Sequence, residues 1–252
     1  NYLMIVNAVN GILSQIFNAI TASVGNLVVT DTRQRSESIF YILNFFNFWL
    51  YGVIGICLIA LINPFINLWI GQEYVLTETT TFIVILNLYI LGMQSVTSSY
   101  RNAYGLFKQG RYRPIAMVII NIVSSIVLAR YIGILGVIIG TLLSRLLTTA
   151  WFDPFIVYKY GFQSSPIKYY RRYVLYMICF IILAIGIKQI IELIQITNFF
   201  VLILVAAILF IATNLIFFLL FGRTKECQYL YQLAKQKISA IMRYKKGVKT
   251  SC

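Results

Sequence analysis

Two long stretches without any charged side chain constrain this chain more than any other feature. Residues 1–30 and 193–222 contain no Lys, Arg, Asp or Glu. Each stretch is longer than the roughly 20 residues that a helix needs to cross the hydrocarbon core of a bilayer. Of the 252 residues, 60% are hydrophobic and 11% are charged, against roughly 25% charged in soluble domains. The sequence therefore predicts an all-α, polytopic membrane protein and excludes an ordinary soluble or disordered chain.

Apolar runs and their polar interruptions predict seven transmembrane helices. We place them at residues 2–29, 39–62, 79–100, 114–130, 132–152, 173–191 and 197–221. The fourth and fifth are separated by a very short turn, so we expect them to form a helical hairpin. No stretch shows the alternation that is typical of a membrane-spanning β-strand.

The basic residues of the predicted loops alternate between a poor side and a rich side. The six loops and the tail contain, in chain order, 2, 0, 4, 1, 4, 1 and 8 Lys or Arg residues. One side therefore carries 18 and the other 2, with Arg145 left inside the fifth span. Because basic loops face the cytoplasm, we expect span one to start outside and the C-terminus to be cytoplasmic. The net charge of +14 is then a topology signal, and we expect no nucleic-acid partner.

Polar side chains form stripes along the first three predicted spans. On span one they are spaced 3, 4, 4 and 3 residues apart, which puts them on one helical face. Amides in hydrocarbon need partners, so these faces either pack against other helices or line a water-filled cavity. The candidate cavity residues are Asn7, Asn10, Ser14, Asn18 and Thr21 on span one, Asn44 and Tyr51 on span two, and Asn87, Gln94 and Ser98 on span three.

Two arginines are candidates for contact with an anion. Arg101 ends the stripe of span three at the predicted cytoplasmic face, and the alternative is that it is an interfacial anchor. Arg145 is the one charged residue well inside a span, and it either snorkels toward the cytoplasmic end or faces a cavity and binds phosphate. Gly136, Gly140 and Ser144 on the same span are four residues apart, which predicts close packing against another helix.

Several kinds of chemistry have no residues to support them. The sequence contains no His, which excludes His-based metal sites and catalytic triads. Its four Cys form no CxxC pair, and we interpret them as inert thiols. All seven acidic residues fall at predicted span ends or in loops, which leaves no carboxylate pair at membrane depth. We therefore predict a transporter without cofactor or metal, and not an enzyme.

Six stretches resemble bacterial polysaccharide transporters of the Wzx type, the O-antigen flippases. These proteins belong to the multidrug/oligosaccharidyl-lipid/polysaccharide exporter (MOP) superfamily. The resemblance covers about residues 1–165, and the rest of the chain matches only in character. The stretches are ITASVGNL at 20–27, LNFFNFW at 43–49, NPFINLWIG at 63–71, YRNAYGLF at 100–107, RYRP at 111–114 and GILGVIIGTLLS at 133–144.

The resemblance implies a MATE/MurJ-like transporter in which two lobes form a V around a central cavity. The seven spans then correspond to the second lobe without its first helix, followed by two added helices. The chain is therefore expected to be the C-terminal half of a longer protein. On this plan residues 1–152 are five core helices of the transport lobe and 153–222 are a cytoplasmic loop plus two peripheral transmembrane helices. Residues 223–252 are a basic amphipathic cytoplasmic tail.

The resemblance also implies a function, which is to flip an undecaprenyl-diphosphate-linked oligosaccharide across the bacterial plasma (inner) membrane for surface polysaccharide such as O-antigen or capsule. The cavity residues form half of a path for the sugar, and Arg101 and Arg145 contact the diphosphate. The implied partners are this lipid-linked substrate, membrane lipids and the missing N-terminal lobe of the same protein. Three alternatives stay open: a drug or cation exporter of the same superfamily, an O-antigen polymerase, which is a membrane enzyme, and a purely structural membrane subunit.

Overall fold

The structure is a computed structural model, and it describes residues 1–236 except for the side chains of Ile20 and Ala22. Every regular element in this part of the chain is helical. A short 3-10 turn lies at Gln72–Tyr74, and a π-helical turn at Val157–Phe162 continues α7. The α-helices are α1 (Tyr2–Thr30), α2 (Arg33–Ile70), α3 (Glu78–Met93), α4 (Ser95–Ala103), α5 (Arg113–Ile132), α6 (Ile134–Leu147), α7 (Thr149–Ile156), α8 (Ile167–Glu192) and α9 (Phe199–Phe221).

Within residues 1–236, seven helical stretches are long and apolar enough to cross a membrane. They are α1, α2, α3 with α4, α5, α6 with α7 and its π-turn, α8 and α9. The prediction of an all-α chain with seven membrane-length apolar helices is thus confirmed. How these helices sit beside a second lobe stays a prediction.

The predicted helix bounds are too short at several ends. α2 begins at Arg33, where the side chain of Thr32 accepts a hydrogen bond from the backbone N–H of Arg35. The fifth span continues to Phe162, so the predicted domain boundary at residue 152 falls inside a helical stretch. Hydropathy stops at the first charges in both cases. α2 continues outward because its end is capped at Thr32, and the fifth span continues because Asp153 and several residues after it are buried against other helices.

Two of the spans contain a break that the apolar pattern does not predict. α3 ends at Met93 and α4 begins at Ser95, and α6 and α7 are separated at Thr148. At the first break the side chain of Asn47 on α2 donates a hydrogen bond of 2.6 Å to the carbonyl oxygen of Gly92. A backbone polar group released at membrane depth needs such a partner. The buried amide of Asn47 therefore stabilises the break.

α5 and α6 form the expected hairpin, with Gly133 at a φ of +60° between them. The two helices are in very close contact along the small residues of α6. A Cβ added at Gly136 lies 2.4 Å from the backbone carbonyl group of Leu128, and one at Gly140 lies 2.4 Å from the Oγ of Ser125. The glycines are therefore required by the close approach of the two backbones, as the four-residue spacing predicts.

α8 and α9 pack against α2 mainly through aromatic side chains. The ring of Phe48 on α2 stacks on Tyr176 at 4.2 Å and on Phe217 at 5.1 Å between centroids. The indole N–H of Trp49 donates a 2.9 Å hydrogen bond to the Oδ1 of Asn214. This bond accounts for one of the few polar side chains in the otherwise apolar α9.

Ion pairs join the helix ends at opposite poles of the bundle. Near the start of α8, the guanidinium of Arg172 lies 2.5 Å from the carboxylate of Glu226. At the other end of the same helix, the ammonium of Lys188 lies 3.0 Å from the carboxylate of Glu78, at the start of α3. The two ends of α8 thus separate the basic-rich fifth loop and tail from the basic-poor second and sixth loops, and which side faces the cytoplasm stays a prediction.

The tail is described only to residue 236. Residues 225–236 are helical, and the hydroxyl of Thr224 accepts a hydrogen bond from the backbone N–H of Cys227. Burial raises the pKa of the Cys227 thiol, which favours the unreactive protonated form. The remaining apolar residues of the predicted amphipathic helix, Ile238, Ile241 and Met242, lie outside the described residues.

Candidate functional site

Two adjoining cavities form one groove along α1. One, of about 200 Å³, lies between α1, α3 and α6, and the other, of about 350 Å³, continues toward α4, α5 and α7. Both cavities are lined by Asn10, Leu91 and Arg145, so we treat them as a single groove. The polar residues that line the groove are Asn7, Asn10, Ser14, Tyr51, Asn87, Gln94, Ser95, Ser98, Arg113, Thr141, Arg145 and Thr149.

The groove brings together most of the candidate residues, which come from five different helices. The candidates that line it are Asn7, Asn10, Ser14, Tyr51, Asn87, Gln94, Ser98 and Arg145. The sequence could not predict that these residues lie close together. A polar stripe shows which residues share one face of a helix, but it does not show which other helix packs against that face. Whether these side chains touch a substrate stays a prediction.

Four candidates lie elsewhere. Asn18 is exposed on α1, further along than the groove. The hydroxyl of Thr21 forms a 2.8 Å hydrogen bond with that of Ser99, where α1 packs on α4. Asn44 is buried, and Arg101 is engaged in an ion pair. Polar stripes therefore mark both the groove and helix contacts, which is the ambiguity that the sequence left open.

Arg145 is placed at the centre of the groove by α6. Its Nη1 donates a 3.0 Å hydrogen bond to the backbone carbonyl of Asn87 on α3. The side chain of Asn87 in turn donates 3.2 Å to the carbonyl of Ile138 on α6, so α3 and α6 are held together around the guanidinium. Among the ion pairs of the described residues, none includes Arg145. Its positive charge is therefore not balanced by a carboxylate of residues 1–236.

A second charged group lies where α4, α5 and α7 meet. The carboxylate of Asp153 is 3.1 Å from Nη1 of Arg101, and Nη1 of Arg113 also contacts it. The Asp153 side chain is only 1% exposed. The expectation that every acidic residue lies at a span end or in a loop is wrong for Asp153, which lies within the helical stretch from Ile134. The helix continues past this charge because two guanidiniums neutralise it.

Arg113 and Asp153 were missed as functional candidates. Arg113 lines the groove, whereas Arg101, the predicted anion contact, lies behind it on Asp153. The sequence placed all three residues at the same predicted end of the bundle, and this was the only signal that they could meet. Their pairing depends on the packing of α7 against α4 and on the ion pair that joins α7 to α5.

The lining of the groove suits an anionic and polyhydroxylated ligand. Arg113 and Arg145 are its charged lining residues, and the described lining includes no carboxylate. The amides and hydroxyls on its walls both donate and accept hydrogen bonds. The phenol of Tyr51 donates to the Oδ1 of Asn10 at 3.2 Å, which fixes one of these amides. Within residues 1–236, no group of three or more His, Cys, Asp or Glu is placed to hold a metal ion.

Comparison with known protein families, with curated proteins and with solved structures gives no match.

Proposed function

We propose that the chain is one lobe of a bacterial flippase that moves an undecaprenyl-diphosphate-linked oligosaccharide across the inner membrane. The observation that carries the proposal is the groove, in which an arginine without a carboxylate partner lies among amide and hydroxyl side chains at membrane depth. An anion at that depth is costly unless a cation accompanies it. A sugar needs hydrogen-bond donors and acceptors in place of water. The groove can supply both the cation for the diphosphate and the hydrogen-bonding groups for the sugar of one substrate molecule.

The diphosphate contacts Arg145 first in this proposal. A guanidinium has five N–H donors in a planar fork, and the structure uses one atom, Nη1, on the carbonyl of Asn87. The remaining donors can pair with phosphate oxygens in the two-bond geometry that a Lys ammonium lacks. Arg113 lines the same cavity and adds a second positive charge. Arg101 acts behind it, through the shared carboxylate of Asp153.

The oligosaccharide follows the polar wall of the groove. Asn7, Asn10 and Ser14 provide this wall on α1, and Gln94 and Ser98 provide it across the groove. The prenyl chain stays in the surrounding lipid, because moving it out of hydrocarbon costs about 0.8 kcal/mol for each CH₂ group. The transported molecule is therefore divided between groove and bilayer, and no covalent bond changes.

A second lobe opposite α1 is part of the proposal. Asn7 and Asn18 are exposed on α1 in the described structure. Amide side chains do not face lipid at membrane depth, so this surface requires either water or a protein partner. The N-terminal lobe of the same protein supplies that partner in the proposal. The basic-rich end of the bundle faces the cytoplasm, according to the positive-inside rule.

The test is the export of glycan by full-length protein that carries a substitution at Arg145. We expect Arg145→Ala to lower surface polysaccharide per unit of inserted protein, and Arg145→Lys to restore it only in part, because Lys keeps the charge and loses the planar fork. The matched control is Arg130→Ala, since Arg130 lies at the end of α5 and outside the groove lining. Normal export by Arg145→Ala at normal protein level would refute the proposed role of the groove.

The hydration of the groove is tested separately by single-cysteine labelling in a variant without the four native Cys. Cysteines at positions 10 and 14 should react with a membrane-impermeant thiol reagent, because Asn10 and Ser14 line the groove. Cysteines at positions 12 and 16 should be protected, because Ile12 and Ile16 are exposed on α1 away from the groove lining and are expected to face lipid. Equal protection of the two pairs would indicate that the polar stripe is a packing surface.

A further inference from the structure

The carboxylate of Asp153 pairs with Arg113, which lines the groove, and with Arg101, which lies behind it. Its Oδ1 and Oδ2 lie 3.1 Å and 3.3 Å from Nη1 of Arg101, and Nη1 of Arg113 contacts Oδ2. The carboxylate is almost fully buried, whereas the arginine side chains are 15% and 16% exposed. One negative and two positive charges leave the trio with an excess positive charge beside the groove.

Both arginines keep unused donors. The Nε atoms of Arg101 and Arg113 are buried and have no hydrogen-bond partner in the described part of the chain. Carboxylate and phosphate oxygens bind a guanidinium in the same geometry, so a phosphate can take the place of a carboxylate on the same fork. Arg113 is the member of the trio that lines the groove. A phosphate in the groove therefore meets a guanidinium that already holds an anion.

We propose that Asp153 is an internal counter-anion that competes with the transported diphosphate for Arg113, the arginine of the trio that lines the groove, and that it thereby sets the affinity of the groove and promotes release. The inference rests on the proposed function, since it concerns the same groove. Two anions on one pair of guanidiniums repel each other strongly in a medium of low dielectric. Entry of the diphosphate loosens Asp153, and return of Asp153 displaces the diphosphate.

A transport site needs such a device for a physical reason. A site must bind well enough for the ligand to enter and weakly enough for it to leave. Two partly buried arginines without a counter-ion would hold a diphosphate tightly and would be costly to leave unpaired after release. Asp153 removes both difficulties, because the arginines always have an anionic partner, which is either the diphosphate or the carboxylate of Asp153.

The experiment measures binding of inorganic pyrophosphate to the purified chain in lipid nanodiscs, by calorimetry at fixed low ionic strength. Asp153→Asn should tighten the dissociation constant at least tenfold, because it removes a full negative charge from the anion's immediate surroundings. Asp153→Glu keeps the charge and should stay within about threefold of the unsubstituted chain. Arg145→Ala should weaken binding both alone and combined with Asp153→Asn.

A charge-balanced variant separates competition from net charge. Arg101→Gln combined with Asp153→Asn removes one charge of each sign and frees Arg113 of its carboxylate. Competition predicts that this variant also binds pyrophosphate more tightly than the unsubstituted chain. An effect of net charge alone predicts no change. The variant also remains informative if Asp153→Asn does not fold, because it leaves one buried guanidinium and not two.

The two proposals fail in different ways. The first case is that the unsubstituted chain binds pyrophosphate and Arg145→Ala weakens that binding, while Asp153→Asn and the charge-balanced variant both leave it unchanged. The counter-anion inference is then wrong and the proposed function stands. If pyrophosphate binds to none of the variants, the anion-binding groove itself is wrong and the inference is overturned with it. Weaker binding by the charge-balanced variant would make Asp153 a residue that positions Arg113, contrary to the inference.

Discussion

A methyl group added at Gly92 should destabilise the bundle, because the ring of Tyr51 lies directly on this residue. The added Cβ would lie 2.2, 2.3 and 2.4 Å from Cδ1, Cγ and Cε1 of the ring. Ordinary carbon contacts are about 3.5–4.0 Å, so the ring or the helix must move by more than about 1 Å. Tyr51 is 2% exposed and has little room for this.

The expected magnitude follows from three contributions. Overpacking of a dense interior costs about 1–3 kcal/mol, and the upper end applies because the contact involves the root of the ring and not its flexible tip. Displacement of the ring also breaks the hydrogen bond from Tyr51 to Asn10, which contributes about 0.6 kcal/mol in a membrane protein. Alanine recovers up to about 1 kcal/mol of helix propensity relative to glycine. We expect Gly92→Ala to lower the free energy of unfolding by about 2.5 kcal/mol.

The assay is reversible unfolding in mixed micelles with increasing SDS, followed by far-ultraviolet circular dichroism. The matched control is Gly186→Ala in α8, since a Cβ there meets no atom within 4 Å. This control should be unchanged or more stable by up to about 1 kcal/mol. Adding Gly92→Ala to Tyr51→Ala should cost little further stability, because the obstructing ring is gone. Equal stability of Gly92→Ala and Gly186→Ala would refute the argument.

Three further outcomes are expected. Gly140→Leu should reduce accumulation of inserted protein far more than Ile139→Leu, measured by immunoblot of membranes, because a side chain at Gly140 meets the backbone of Ser125 at 2.7 Å. Asn214→Leu should cost about 1 kcal/mol in the same SDS titration, because it leaves the indole N–H of Trp49 without its partner; no loss would mean that water replaces Asn214. Reporter fusions should give a cytoplasmic signal after residues 35, 113 and 172 and an external signal near residues 73 and 192, and one reversed signal would contradict the seven-span topology.

The groove face of α1 was predictable from the sequence because its amides stand out against an apolar background. Asn7, Asn10 and Ser14 repeat at helical spacing, so their common face follows from helix geometry alone. The same argument could not separate them from Asn18, which continues the stripe and lies outside the groove. The difference is made by the neighbouring helices, and these are not encoded in the periodicity of α1.

The helix breaks and the charged trio were not predictable for a different reason. The breaks at Gln94 and Thr148 contain neither Pro nor Gly, and one of them is stabilised by Asn47, more than 40 residues away in the chain. Arg113 and Asp153 each lie at the edge of an apolar run, where a charge is also what topology requires. Only the folded structure shows that these two charges form an ion pair with each other.

The length of α2 constrains how the protein can sit in a bilayer. Tyr41 is buried, with the cations of Lys168 and Arg172 at 5.0 Å and 4.6 Å from its ring centroid, and Trp69 is exposed at the other end of the same helix. Tyr41 and Trp69 are 28 positions apart in the chain, which corresponds to a rise of about 42 Å along a helix and matches the roughly 40–45 Å thickness of a bilayer with its headgroups. Residues 33–40, the first turns of α2, then extend beyond the lipid on the basic side. A thicker or thinner bilayer would move either the cations beside Tyr41 or the indole of Trp69 out of the headgroup layer, so the choice of lipid will govern how well the purified protein keeps its native structure.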